Sequence, residues 1–369
     1  MFSRILITAD VLRPFPRERE WESATWKNAR WLRHMLAPAL RHCGHEPELL
    51  SWDERLQPGR ETWFDTPMLY RRLGRELTLE SWATLARSTT APQALIDALE
   101  APCRDALVVG YEMPEVMIDA LTRLNRPFVD IILHPWRFLP DLVFALRTNV
   151  PAFEQVIRAQ RLTDRAAAAQ AERIQAKAAW MKPVAPMPPG TVLVVGQVSS
   201  DRAMVGTDGG FVTLAQHLPR LHELCCEHPL VLYRAHPYAG DQDPSAQAVA
   251  RLPAIRPTTE NFYQLLSQPE LEGVVALNSS CLVEARAFGR WSENLVPFLY
   301  DFDANQPARD GAPGSPVPLS GCWIEPCFWQ ALLKGESAGT GVFADPGPNV
   351  LRRSMNADWG YGFIEQVCA

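Results

Sequence analysis

The sequence predicts an α/β fold in two halves, each a parallel sheet covered by helices on both faces. Short apolar, β-branched runs alternate with helical stretches along the chain, and parallel strands need such crossover connections. A polar helical stretch followed by a Pro-rich segment interrupts the alternation near the middle. The length, 369 residues, exceeds what one core usually serves at about 150 residues per domain.

The elements follow in order. FSRILITAD reads as a strand ending at Asp10, the Pro-rich LRPFPRERE as a loop, and ATWKNARWLRHMLAPALRHCG as a helix. A second apolar run begins at Glu48. A strand over 105–110 then leads through Glu112 into a helix over 116–124, and a strand over 128–133 ends at His134 and Pro135. Residues 151–182 read as one polar helix and PVAPMPPG as the linker after it. A second unit opens with the strand TVLVVG. It continues with a helix over 212–225, a strand over 229–234, a helix over 262–266, a strand over 273–277 and a helix from Ser279. PNVLRRSMNADWGYGFIEQV reads as a terminal helix. The expected division is 1–182, 183–345, and a C-terminal helical segment 346–369.

Composition narrows the function classes. An apolar fraction of 47% with 21% charged residues suits a folded globular protein. No window approaches the roughly 20 apolar residues that span a bilayer, and MFSRILITAD lacks a signal-peptide pattern. The expected location is the cytoplasm. A formal net charge of −6 opposes a nucleic-acid partner, which is bound through a basic surface. The scattered cysteines form no CxxC pair and read as reduced thiols. No dinucleotide fingerprint, phosphate-binding P-loop or DxD metal pair appears, so neither a cofactor nor a metal is expected.

In open parallel sheets, ligands bind beyond the carboxyl ends of the strands, and several polar residues cluster there. Gln197 and Asp201 follow one strand, Arg234, His236 and Pro237 the next, and Asn278, Ser279 and Ser280 a third. The serine turn opens a helix whose free N–H groups suit a phosphate, although Ser and Asn also cap helices with no ligand present. Glu284, one turn on, could take ribose hydroxyls or sit in a salt bridge. Arg234 and His236 could hold a phosphate; His236 alone reads equally as a loop histidine. In the first half, Glu112 follows a strand. His134 and Arg137 flank Trp136 as two candidate cations for a carboxylate, unless Arg137 pairs with Asp130 or Asp141. Asp201 and Glu112 are a candidate carboxylate pair from different halves, with surface charge as the competing reading.

GQVSSD, YRAHP and NSSCLVEARAFGR, on successive strand ends, resemble the capsule-polysaccharide β-Kdo transferases of Gram-negative bacteria (Kdo is 3-deoxy-D-manno-oct-2-ulosonic acid). VVGYEMP and DIILHPWRF are similar to the first lobe of related O-antigen β-Kdo transferases. The resemblance implies a glycosyltransferase-B-like arrangement, with a cleft between a Rossmann-like acceptor-side domain and a Rossmann-like nucleotide-sugar domain. It implies CMP-β-Kdo as donor, a saccharide or lipid-linked saccharide as acceptor, and retained configuration by double displacement. Asp201 falls at the family's nucleophile, Glu112 at its acid/base, His236 and Pro237 at its HP pattern, and Ser279 and Ser280 at its serine turn. Arg234 stands where Lys is common, and the loop 301–320 matches no part of the pattern. With a lipid-linked acceptor, the location extends to the inner face of the inner membrane, touched weakly by the basic face of 151–182. Two other readings stay open: a CMP-sialic acid transferase, and a non-catalytic sugar-nucleotide-binding module.

Overall fold

The computed structural model describes residues 2–14, 24–52, 62–180, 184–198, 201–237, 243–303, 305–309, 312–335 and 343–359. In chain order the elements are β1 (Arg4–Thr8), α1 (Ala24–His42), β2 (Pro47–Ser51), β3 (Thr62–Trp63), α2 (Thr66–Arg72), α3 (Leu79–Ala86) and α4 (Gln93–Glu100). β4 (Ala106–Tyr111), α5 (Glu115–Arg123), β5 (Phe128–Leu133), β6 (Phe144–Thr148), α6 (Pro151–Ala159) and α7 (Asp164–Ala178) follow. Then come β7 (Thr191–Val195), α8 (Leu218–Glu227), β8 (Val231–Arg234), α9 (Pro244–Val249), β9 (Ile255–Pro257), α10 (Phe262–Leu266), β10 (Leu271–Ala276) and α11 (Ser280–Ala287). The last are β11 (Trp291–Asn294), β12 (Val317–Leu319), α12 (Pro326–Lys334) and α13 (Val350–Trp359). Among the described residues, no helix is long and apolar enough to cross a membrane.

The chain forms two compact units. Unit 1 takes Met1–His134, Asp141–Leu162 and the chain from Tyr300 through α13; unit 2 takes Pro135–Pro140 and Thr163–Leu299. The stretch 151–182, expected as one helix, is two. α6 ends at Ala159 with Gln160 as its C-cap, Leu162 N donates to Pro318 O at 2.8 Å, and α7 starts anew in unit 2. Residues 181 and 182 lie outside the described residues.

Unit 1 carries a seven-stranded sheet in the order β12-β6-β5-β4-β1-β2-β3. β1 to β5 pair in parallel, as the alternation predicts, but β6 and β12 are antiparallel additions at one edge. The chain turns straight back from β5 into β6 without a helix, which only antiparallel neighbours allow. β12 lies within the loop 301–320, whose earlier part is tied to α6. There Ala308 N donates to Glu154 Oε2 at 2.7 Å and Arg158 Nη2 to Gln306 O at 2.8 Å. α1 buries Trp31, Leu32 and Leu36 completely, each contributing about 1.5–3 kcal/mol of apolar transfer. Trp31 stacks on Phe144 of β6 at 5.6 Å, and its indole N–H donates to Ser354 Oγ of α13 at 3.1 Å.

A buried ion pair fixes the turn that leaves β4. Arg147 on β6 donates from Nε to Asp130 Oδ2 on β5 at 2.9 Å and from Nη1 to Glu115 Oε1 at 2.6 Å. The other Asp130 oxygen accepts Met113 N at 2.9 Å. Asp130 is fully buried, so its charge is tolerable only because these donors meet it. They also hold the turn in which Glu112 sits at φ 47°, a left-handed conformation that costs a non-glycine residue of the order of 1 kcal/mol.

Unit 2 carries a five-stranded sheet, all parallel, in the order β11-β10-β7-β8-β9. The chain starts in the centre at β7, winds outward through β8 and β9, then crosses back to β10 and β11. This is the Rossmann-like order 3-2-1-4-5, which parts the loops after its first and fourth strands. Inward-facing Val192, Val194, Leu221, Leu224, Val231 and Val275 form the core between sheet and helices. The helix expected over 212–225 starts as a 3-10 turn, Leu214–His217, capped by Thr213, before α8 begins.

Arg147→Met should strand the buried Asp130 carboxylate and lower stability in urea by about 3–5 kcal/mol. Adding Asp130→Leu should restore most of the loss. A double variant as unstable as the single would show that the ion pair is not what the turn depends on.

Candidate functional site

β7 and β10 pair up to Val195 and Ala276 at the winding reversal of unit 2, and just beyond these ends Gln197 and Asn278 bridge the two loops. Gln197 Oε1 accepts Asn278 N at 3.0 Å, and Gln197 Nε2 donates to Asn278 Oδ1 at 3.2 Å. Asn278 Nδ2 in turn donates to Ala203 O. The loop carrying Asp201 is thereby tied to the β10 turn. Asp201 is exposed and caps a 3-10 turn, Arg202–Met204, by accepting Ala203 N on Oδ1 at 3.1 Å. Residues 199 and 200, between Gln197 and Asp201, lie outside the described residues.

The β8 end closes over Gly196. Gly196 N donates to Arg234 O at 2.8 Å, and a Cβ at this glycine would stand 2.6 Å from the Tyr233 hydroxyl and 3.3 Å from His236 N. A side chain there would have to displace the Tyr233 hydroxyl. Arg234 Nε donates to Glu260 O at 2.9 Å, which fixes the plane of its guanidinium. His236 is half-buried, and Pro237 beside it is exposed. Burial pushes the His236 imidazole below its ordinary value, the Arg137 and Arg234 charges push it further, and Asp201 and Asp243 oppose them. His236 is therefore a neutral ring among two guanidinium groups and two carboxylates.

Ser279 caps α11, accepting Cys281 N on Oγ at 3.3 Å, and Ser280 is the first helical residue. The helix thus presents its positive end beside the amide bridge. Burial drives the Cys281 thiol up to about 12, with the nearby Glu284 charge acting in the same direction, so it is no nucleophile at neutral pH. Glu284 is only 2% exposed. Its Oε1 accepts the Tyr263 hydroxyl at 2.7 Å and Arg137 N at 3.1 Å. Arg137 belongs to the Pro135–Pro140 stretch of unit 2. Of the two acids proposed as its partners, Asp130 pairs with Arg147, and Asp141 caps α13 through Leu351 N and Arg352 N at 2.8 and 2.9 Å.

Gln197, Asp201, Arg234, His236, Pro237, Asn278, Ser279, Ser280, Glu284 and Arg137 thus all lie in unit 2, whereas Glu112 and His134 belong to unit 1. Glu112 is half-buried and accepts Leu133 N on Oε1 at 3.3 Å. His134 was expected as a cation. Burial instead drives its imidazole down to about 3, and Phe302 meets it edge-on at 4.7 Å, so it can act only as a neutral ring.

Two residues that sequence reasoning passed over help shape the unit 2 site. Asp243 caps α9 through Ser245 N and Ala246 N and accepts the Tyr233 hydroxyl at 3.4 Å. Its Asp-Pro pair is a helix-start signal in the sequence. Tyr263 carries no such signal, since its hydroxyl finds Glu284 only through tertiary packing.

No protein-family profile matches the chain, and no curated protein does. Among solved structures, it is similar to a Thermosulfurimonas dismutans KpsC β-Kdo 2,7 transferase. That pair is 15% identical over 57% of this chain and 71% of the other, with a TM-score of 0.34. It is also similar to a KpsC β-Kdo 2,4 transferase of the same organism, 14% identical over 51% of this chain and 67% of the other, with a TM-score of 0.32. Neither likeness assigns the chain to a family.

The charge cluster gives a two-sided prediction. By NMR, the His236 ring should titrate below the ordinary histidine value of about 6.5. Arg137→Gln should raise the midpoint and Asp201→Asn lower it further. A midpoint unmoved by both substitutions would place these charges away from the ring.

Proposed function

We propose that the protein is a retaining glycosyltransferase whose unit 2 binds CMP-β-Kdo. The observation that carries this reading is the bridged turn of Gln197 and Asn278 at the α11 N-terminus, with Arg137 and Arg234 near enough for their charges to act on Cys281 in the first turn of α11 and, with Asp201, on His236. Such a turn supplies N–H donors, fixed positive charge and one exposed carboxylate within one unit, as a phosphate-linked acidic sugar requires. The motif resemblance supplies the identity of nucleotide and sugar.

The reaction runs by two displacements. The Asp201 carboxylate attacks C2 of the donor sugar, the bond from C2 to the phosphate oxygen breaks, and CMP leaves with the electron pair. The α11 N–H groups, Arg234 and a ring N–H of neutral His236 meet the charge that develops on the leaving phosphate. An acceptor hydroxyl then attacks C2 and gives its proton to a base, the role that the motif resemblance assigns to Glu112. The bond from C2 to the Asp201 oxygen breaks, which releases the carboxylate. Two inversions return the original configuration. The acceptor is a saccharide, free or lipid-linked.

Wild-type enzyme given CMP-Kdo without acceptor should accumulate a Kdo adduct on the Asp201 peptide by mass spectrometry. Asp201→Ala should lose the adduct, and its transfer rate should fall by about a thousandfold or more. Asp201→Ala with near-normal transfer would overturn the assignment of the nucleophile. Donor binding without any transfer by the wild type would favour a non-catalytic module. A preference for CMP-sialic acid over CMP-Kdo would keep the chemistry and change the sugar.

A further inference from the structure

Glu284 has the position of a ligand-binding acid, one turn into the helix that opens at the serine turn, yet its contacts point elsewhere. It is 2% exposed, and its Oε1 is shared by the Tyr263 hydroxyl and the Arg137 backbone N–H. A carboxylate so enclosed is tolerated when charge-assisted donors meet it. These donors come from two remote pieces of chain, α10 and the short Pro135–Pro140 stretch.

That stretch is six residues of unit 2 flanked on both sides by residues of unit 1. It has no strand or helix of its own to hold it in unit 2. Phe138, 1% exposed, anchors one end by meeting Tyr263 edge-on at 6.2 Å and Phe288 at 5.2 Å. Beside it, the Arg137 N–H is shared between Pro135 O within the stretch, at 2.7 Å, and Glu284 Oε1, at 3.1 Å, and the second bond is a polar tie to α11.

We infer that Glu284 is a positioning residue: through its hydrogen bond to the Arg137 backbone, and braced by the Tyr263 hydroxyl, it sets where the Arg137 guanidinium stands in the anion-binding site, and it does not itself touch the ligand. The inference deepens the donor-binding reading and rests on it for the identity of the anion. The positioning itself can be read without any donor. The Arg137 charge lowers the His236 ring together with burial and Arg234, against Asp201 and Asp243, so the ring reports where that guanidinium stands.

Two conservative variants separate reach from charge. Glu284→Gln loses the negative charge but keeps an oxygen where Arg137 N and the Tyr263 hydroxyl find it. Glu284→Asp keeps the charge and withdraws the oxygen by one methylene. In ligand-free protein, the His236 NMR midpoint should stay near wild type in Glu284→Gln and rise in Glu284→Asp as Arg137 withdraws. Amide exchange over 135–140 should quicken in Glu284→Asp alone. The same order should appear in CMP affinity, with Glu284→Asp resembling Arg137→Gln. The opposite pattern, a shifted midpoint in Glu284→Gln and none in Glu284→Asp, would overturn the inference and make the charge what matters. Wild-type ring titration and exchange in both variants would overturn it too. If either variant fails to fold, Tyr263→Phe removes only the brace and should give a smaller rise in the midpoint; no rise would count against the inference. Correct ring shifts without any CMP binding would leave the positioning standing and sink the donor reading instead.

Discussion

The Gln197 side chain, bonded to both the backbone N–H and the side-chain oxygen of Asn278, holds together what the winding of the unit 2 sheet drives apart. A parallel sheet wound in both directions from its first strand must send the loops after its first and fourth strands to opposite sides, which leaves a crevice between them. Gln197 and Asn278 face each other there and exchange two hydrogen bonds. The pairing joins the Asp201 loop to the α11 turn, so the exposed carboxylate and the positive end of the helix keep a fixed separation. Without it, each group would follow its own loop.

Around that bridge several side chains of the site are already engaged within unit 2. Arg234 spends Nε on Glu260 O, Ser279 spends its hydroxyl on the α11 cap, and Glu284 spends Oε1 on Tyr263 and Arg137. Such prior engagement removes rotamer freedom that a ligand would otherwise have to quench. His236 completes the picture as a ring kept neutral by burial and by two nearby cations. A neutral imidazole can donate one proton to a phosphate oxygen without adding a buried charge. Unit 1 uses a different device, a buried ion pair of Asp130 and Arg147 that holds Glu112 in a left-handed turn.

Much of the fold was legible because uninterrupted apolar runs leave little choice. β5 and α10 occupy the residues their patterns mark, Phe128–Leu133 and Phe262–Leu266. β6 was not legible, since FALRT carries Arg147, and only its pairing with Asp130 makes that residue compatible with a buried strand. The break between α6 and α7 was hidden for a similar reason, being fixed by a bond from Leu162 to β12 far along the chain. At the site, the strand-end positions of Gln197, Arg234, His236 and Asn278 could be read from the sequence. Their mutual bonds could not, because strand register joins residues remote in sequence. The charge of His134 was misjudged because sequence reports the imidazole but not its burial. Glu284 posed the hardest case, since Tyr263 and Arg137, which donate to it, come from two stretches remote from α11.

A crystal structure of the protein with bound CMP tests the central claim most directly. The account predicts the phosphate against the N-terminus of α11, within hydrogen-bond reach of Ser279 or Ser280 N–H and of Arg234 or His236, with the Gln197 and Asn278 amides still paired. CMP bound away from the β7 and β10 ends, or bound there with the two amides parted, would contradict it.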